Sequence, residues 1–281
     1  MSSEPASKQS AMPPPAAAIH RRFERNARLL GPAAMDALTR AHVTIFGLGG
    51  VGSWAAEALV RGGIGRLTLV DFDTVCVTNV NRQLPALHST VGAYKADVVA
   101  ERMRLINPDA HIEALREFYC DETAERLLPP TGVDFVVDAV DNVKAKLHLL
   151  ARCLASKIPV ISSMGAAGRL DPTLVRVTDL YESHTDQFAK DVRKFLRIKH
   201  GIPATTEPTG ILAVWSTERP RDPIEPEEQP LCDATPDHPE EGHEPHSTAR
   251  RKQVNGSAGF VTGVFGMVAA GEVIRRIAGL T

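Results

Sequence analysis

The sequence predicts an α/β protein with a Rossmann-like, doubly wound, mainly parallel sheet, flanking helices and an irregular C-terminal extension. Three observations predict it. Short apolar, β-branched runs alternate with helical stretches from residue 43 to residue 162, the pattern of strands buried on both faces. The first run feeds Gly47-x-Gly49-x-x-Gly52, a turn that carries a strand into a helix. Asp71 and Asp138 close two later runs, at the carboxyl ends where such sheets hold ligands.

Taken in order, residues 1–19 are rich in Ser, Ala and Pro and lack the apolar core of a signal peptide, so they read as a disordered leader. Residues 20–38 read as one amphipathic helix carrying Arg21, Arg22, Arg25 and Arg28. Strand 43–46 leads to helix 50–61, which Gly62-Gly63 ends. Strand 67–70 is followed by a long helix, 90–106, stopped by Asn107-Pro108. Strands 111–115 and 135–137, helix 144–156 and strand 159–162 continue the alternation. Beyond residue 170 it weakens, with room for one more strand in 171–179 and a helix, basic on one face, over 186–200. Residues 218–246 are dense in Pro, Glu and Asp and read as a mobile acidic loop. The division expected is therefore a nucleotide-binding domain over 20–170, with 171–281 as the C-terminal part of the same fold.

Residues 259–271 are apolar and rich in small side chains. Spanning about 30 Å of hydrocarbon takes roughly 20 residues, so this stretch reads as a helix packed in a core or dimer interface. Peripheral membrane association is the alternative. A net charge of −2 excludes a polycation, so any nucleic-acid contact must come from a local patch. Cys76, Cys120, Cys153 and Cys232 form no Cys-x-x-Cys pair, which argues against structural zinc and for free thiols in a reducing cytoplasm.

The glycine turn has a physical use. Gly47 permits the tight bend, Gly49 lets a phosphate approach the backbone, and Gly52 lets the helix pack on the strand. Dinucleotide-binding folds share that turn, so the residues downstream decide its use. Asp71 lies where an acidic side chain accepts from a ribose hydroxyl, or where it caps the loop. Asp73, Asn79, Arg82 and Lys95 follow, and two cations there would neutralise a departing pyrophosphate. Asp138 and Asp141 follow another strand. Asp141 could hold Mg²⁺ between phosphates or cap the next helix. Cations for a triphosphate and carboxylates for Mg²⁺ point to ATP, and a hydride-transfer enzyme would not need them.

In this order, Gly-x-Gly-Gly-x-Gly, Asp-x-Asp, Asn-Arg-Gln, the helix lysine and Asp-Asn resemble the nucleotide signature of the ubiquitin-activating-enzyme-like adenylyltransferases. That superfamily includes the molybdopterin- and thiamine-pathway activating enzymes. Within it the chain is similar to the tRNA threonylcarbamoyladenosine dehydratase family. The closer likeness rests on Arg25-Asn-Ala-Arg28-Leu29, residues 49–58 and 75–83, Ile106-Asn-Pro108, Asp171-Pro-Thr173 with Val177-Thr-Asp179, residues 214–218 and Ser257-Ala-Gly-Phe260. It covers about residues 20–280. The resemblance implies that Gly50 lies against the phosphates, Asp71 binds ribose, and Arg82 and Lys95 contact phosphates. It further implies that Asp141 holds Mg²⁺ and that Arg28 reaches the γ-phosphate of a neighbouring subunit in a homodimer. A sulfur-mobilising protein is a further candidate partner. Where family members can carry a cysteine before the Ser-Ala-Gly-Phe stretch, this chain has Asn255-Gly256.

The resemblance implies ATP-dependent cyclisation of a modified tRNA adenosine through a carboxyl-adenylate. The acceptor is tethered within the substrate, so no enzyme nucleophile is required. Phosphate attraction suits Lys190, Arg193, Lys194 and Arg197 on the basic helix, and Arg250, Arg251 and Lys252 after the acidic loop; a solvated helix face is the alternative. Three rival functions are adenylation of a ubiquitin-like or sulfur-carrier protein C-terminus, an NAD-dependent oxidoreductase and a non-catalytic nucleotide-binding module.

Overall fold

In the structure, a computed structural model that describes residues 21–203, 208–224 and 255–280, the central strand β1 (His42–Phe46) is buried at every position. Two parallel neighbours enclose it, β2 (Arg66–Val70) and β4 (Phe135–Asp138). β3 (His111–Leu115) extends the β2 side. β5 (Val160–Ser163), β7 (Ile211–Ser216) and β6 (Val175–Asp179) extend the other. The order among the described residues is β3-β2-β1-β4-β5-β7-β6, and β6 alone runs antiparallel. The chain winds outward from β1 to β3 and then returns to β4. A crevice therefore opens beyond the carboxyl ends of β1 and β4, the place where a doubly wound sheet takes its ligand.

Helices α1 (Glu24–Leu30), α2 (Pro32–Arg40), α3 (Gly52–Gly62), α4 (Lys95–Ile106), α5 (Ala124–Leu127), α6 (Val143–Ala155), α7 (Gln187–His200) and α8 (Gly259–Ile277) surround the sheet. One core holds Ile45, Leu59, Met103 and Phe265, from β1, α3, α4 and α8. The other holds Phe46, Leu150, Leu196 and Trp215 and is covered by α6 and α7. This is the expected α/β architecture.

Several boundaries differ from the expectation. The helix expected over 20–38 breaks at Gly31, which takes φ +85°, and restarts at Pro32. Proline lacks the N–H and the room to continue a helix, but its fixed φ suits a first position. The helix expected from residue 90 starts at Lys95, because Gly92 takes φ +89° and Thr74 pairs with Tyr94 just before it. Strand β7 was not expected at all. Its run, Ile-Leu-Ala-Val-Trp-Ser, pairs with β5 and β6, which are distant in the chain, and it lacks the alternation that marks an exposed face. The leader, residues 225–246 of the acidic loop, Cys232, and Arg250, Arg251 and Lys252 lie outside the described residues.

The apolar stretch 259–271 belongs to the longer α8, which lies on α3 with the backbones nearly touching. A Cβ on Gly266 would stand 2.4 Å from the carbonyl oxygen of Val51, and one on Gly62 2.5 Å from Cδ1 of Ile274. Close packing of this kind explains the small residues. Among the described residues no helix is long and apolar enough to cross a membrane.

Candidate active site

The glycine turn fills the β1 side of the crevice. Gly47 adopts φ +86°, and a Cβ there would lie 2.7 Å from the carbonyl oxygen of Ala139. A Cβ on Gly52 would overlap the carbonyl oxygen of Gly47, at 1.8 Å. These two glycines are therefore demanded by chain packing. Gly49 and Gly50 differ. The nearest atoms to their Cβ positions are Nε2 of Gln83 at 3.6 Å and Oγ1 of Thr262 at 3.1 Å, both side chains. α3 begins at Gly52 with no side-chain cap on its first N–H groups, which leaves its positive dipole end to an anion.

Asp71, at the end of β2, is buried. Its Oδ2 accepts from the Leu48 N–H at 2.6 Å and its Oδ1 from the Asp73 N–H at 2.8 Å. Burial pushes its pKa up, and the nearby Lys95 ammonium opposes that. The carboxylate thus ties the glycine turn to β2, and each oxygen keeps further acceptor capacity for a ribose hydroxyl. Lys95 occupies the first position of α4, where a cation meets an unfavourable helix dipole. Asp73 compensates: its Oδ2 lies 2.7 Å from the largely buried Lys95 Nζ. Asn79 builds the intervening loop. Its side-chain oxygen accepts from Cys76 N–H at 3.2 Å and its carbonyl from Arg82 N–H at 3.1 Å. Arg82 is half-buried, donates to the Thr78 carbonyl at 2.9 Å, and passes its Cγ 3.5 Å from the Cβ position of Gly50. Arg82, Gly50 and Thr262 of α8 therefore converge on one side of the turn.

On the β4 side, Asn142 caps α6 by accepting from Ala145 N–H at 3.0 Å. Capping is therefore done by Asn142, and the preceding Asp141 is exposed at the crevice side of β4. Asp138 is different. It is fully buried and paired with Lys146 Nζ at 2.5 Å, so it is withdrawn from any metal in the crevice. Of the two carboxylates at this strand end, only Asp141 is therefore open to the crevice, and Asp138 is internal to the fold.

The crevice fits a nucleotide triphosphate. It offers two glycines faced by side chains, an uncapped helix start and two cations. The Nε2 of Gln83 beside Gly49 is a donor that can face an acceptor in the crevice, and its buried Oε1 has no hydrogen-bond partner among the described residues, which leaves it open to a donor such as a nucleotide hydroxyl or N–H. No group of three or more His, Cys, Asp or Glu among the described residues could hold a metal. A hard cation such as Mg²⁺ needs several oxygens, so it fits here only beside Asp141 with phosphates and water supplying the rest.

Arg28 is not brought to this turn. It is exposed on α1 and paired with Glu24 at 2.6 Å. α1 packs at the far end of α3, where Asn26 donates to the Arg61 carbonyl at 2.8 Å. The 11 residues of α3 separate that end from the glycines by about 16 Å.

Of the basic helix, Lys190, Lys194 and Arg197 are exposed. Arg193 turns inward and donates to the Ser183 carbonyl at 2.8 Å and to the Ser183 hydroxyl, so it anchors α7 instead of extending the basic face. The cysteines also differ from the expectation of free thiols throughout. Cys120 and Cys153 are free, but Cys76 is disulfide-bonded. Burial pushes the Cys153 thiol up to about 12, which leaves almost no thiolate near neutrality. Three features escaped the sequence reading: Lys146, the orphaned Gln83 oxygen, and Thr262 over Gly50. Gln83 and Thr262 stood in or beside quoted motifs, but Lys146 carried no local signal.

The ThiF family model matches residues 23–281. The tRNA threonylcarbamoyladenosine dehydratase of Bacillus subtilis is 40% identical over 255 residues, 91% of this chain and 94% of that protein. The crystal structure of E. coli tRNA N6-threonylcarbamoyladenosine dehydratase, TcdA, in complex with ATP superposes with a TM-score of 0.78 at 36% identity, covering 92% of this chain and 94% of that one. A molybdopterin-synthase adenylyltransferase of Salmonella typhimurium is 38% identical, but over 136 residues, 48% of this chain and 53% of that protein.

Proposed function

The chain belongs to the ThiF family, and on that premise we propose that it catalyses the ATP-dependent dehydration of threonylcarbamoyladenosine in tRNA. The observation that carries this is the near full-length likeness to a dehydratase solved with ATP, together with a crevice built for a triphosphate in this chain. The threonyl carboxylate attacks the α-phosphate of ATP, and the bond to pyrophosphate breaks. The carbamoyl group then attacks the acyl-adenylate, closes a ring, gives up a proton and expels AMP. The carboxylate oxygen leaves on AMP, so one water is lost from the nucleoside.

The roles assigned to side chains follow from their positions. Gly47, Gly49, Gly50 and Gly52 shape the phosphate seat, Asp71 and Asn79 order its rim, and Asp73 holds Lys95. Arg82 and Lys95 stabilise the charge that develops on pyrophosphate. Asp141 would hold Mg²⁺, which would neutralise phosphate charge. Arg28 stands too far from the turn of its own chain, which supports a homodimer in which it serves the neighbour's nucleotide. Because the acceptor is tethered within the substrate, the route needs no enzyme nucleophile. Lys190, Lys194 and Arg197 are the cations offered to tRNA, and a cytoplasmic location suits a tRNA substrate.

The test is incubation of the purified protein with ATP, Mg²⁺ and tRNA bearing threonylcarbamoyladenosine. AMP, pyrophosphate and the cyclised nucleoside, read by nucleoside mass spectrometry, are expected. Release of ADP, or an unchanged nucleoside, would overturn the reading. The partial likeness to the molybdopterin-pathway enzyme favours a second reading, adenylation of a carrier-protein C-terminus. Pyrophosphate exchange that depends on a ubiquitin-like protein and not on tRNA would select it.

A further inference from the structure

Beneath the β4 side of the crevice lies an ion pair that the reaction does not consume. Lys146 of α6 and Asp138 of β4 are both fully buried. The ammonium has three protons and three acceptors: Oδ2 of Asp138 at 2.5 Å, Oγ of Ser162 at 3.1 Å and the carbonyl oxygen of Ser163 at 3.1 Å. Ser162 also donates to Oδ2 of Asp138 at 2.6 Å. The other oxygen, Oδ1, accepts from the backbone N–H of Val140 at 3.1 Å. Asp138 thus joins the buried lysine to the turn that presents Asp141.

That turn is held from two other directions. The Ala139 N–H donates to the Phe46 carbonyl at 2.8 Å, and the Ala139 carbonyl presses on Gly47. Asn142 fixes its exit by capping α6. A buried ion pair is weak support for stability, since desolvation offsets much of its attraction and an apolar pair often does as well. Its geometry suits another use: it orients one short turn on which a single exposed carboxylate stands.

We propose that Lys146 is a positioning residue for the nucleotide–Mg²⁺ complex: acting through Asp138, it sets the turn 139–142 so that Asp141 faces the phosphates. This rests on the ATP-using function proposed above. Loss of such an outer-sphere partner typically weakens metal affinity about tenfold or more.

Calorimetric titration of ATP into the full-length protein over a series of Mg²⁺ concentrations tests it. In Lys146→Met, the Mg²⁺ needed for half-maximal enhancement of ATP binding should rise about tenfold, with metal-free ATP affinity changing less than about twofold. Lys146→Arg, which keeps the charge, should recover part of the loss. Should Lys146→Met fail to fold, Ser162→Ala removes one hydrogen bond from each partner and should shift the Mg²⁺ dependence in the same direction. A lowered melting temperature with an unchanged Mg²⁺ dependence would overturn the proposal and leave the pair a purely structural element. If the unsubstituted protein binds no ATP, the proposed function fails instead, and wild-type binding separates the two outcomes.

Discussion

Arg82 and Lys95, the two cations proposed for the phosphates, stand under different constraints. Arg82 leans on the backbone beside Gly50, whereas Lys95 is held largely buried against Asp73. Arg82→Ala should lower kcat for AMP formation by about 10²–10³, the cost of losing one preorganised charge donor, with little change in folding stability. Steady-state kinetics and thermal melts check it. Lys95→Ala should add a loss of stability, because it leaves Asp73 without its cation. A second prediction concerns Glu57 on α3, which binds Arg102 of α4 at 2.8 and 3.0 Å and Arg61 at 2.8 Å. Burial raises the pKa of Glu57, but the two arginines outweigh it, so the net shift is downward. A depressed carboxylate stabilises the fold above its unfolded pKa (roughly 4.3 for Glu), and that stability is lost as pH falls through the folded value. Urea unfolding below about pH 4.5 should show this loss. Glu57→Gln should remove it and cost roughly 2 kcal/mol at neutral pH.

The helices divide into those that build the seat and those that face outward. α8 bears on the seat through Thr262, next to Gly50, and its closeness to α3 depends on Gly266. Gly266→Val puts atoms within reach of the Val51 carbonyl, so α8 must move outward. A loss of about 1–3 kcal/mol and weaker ATP binding should appear together in unfolding and calorimetric measurements. α7 faces outward with Lys190, Lys194 and Arg197. Reversing these three to Glu should weaken tRNA binding and reduce the slope of log affinity against log salt by about two to three. Arg193 does not belong in that set, since its guanidinium holds the turn before α7. The sequence marked α7 as a helix with a basic face, and Lys190, Lys194 and Arg197 are exposed on it. It could not tell that one cation of the basic face folds back, because that depends on carbonyls at residues 180 and 183 brought near by the preceding turn.

In the molecule as a whole, the seat and Arg28 stand at opposite ends of α3. On the proposed homodimer, a site that needs both would be completed by a second copy of the chain. Arg28→Ala and Arg82→Ala proteins should each be inactive alone. When they are mixed and allowed to exchange subunits, about half the dimers become mixed, each with one intact site, and about one quarter of wild-type activity should return. No recovery on mixing would mean that Arg28 acts within its own chain or not at all.

Local patterns carried the class of fold and the residues proposed for the nucleotide, because burial on both faces writes itself into continuous β-branched runs and a tight strand-to-helix turn writes itself into glycine spacing. Strand β7, the inward turn of Arg193 and the burial of Lys146 against Asp138 had no such trace. Each depends on which distant segment lies alongside, and a strand's partner or a lysine's counter-ion is chosen by packing across the sheet, not by its neighbours in the chain.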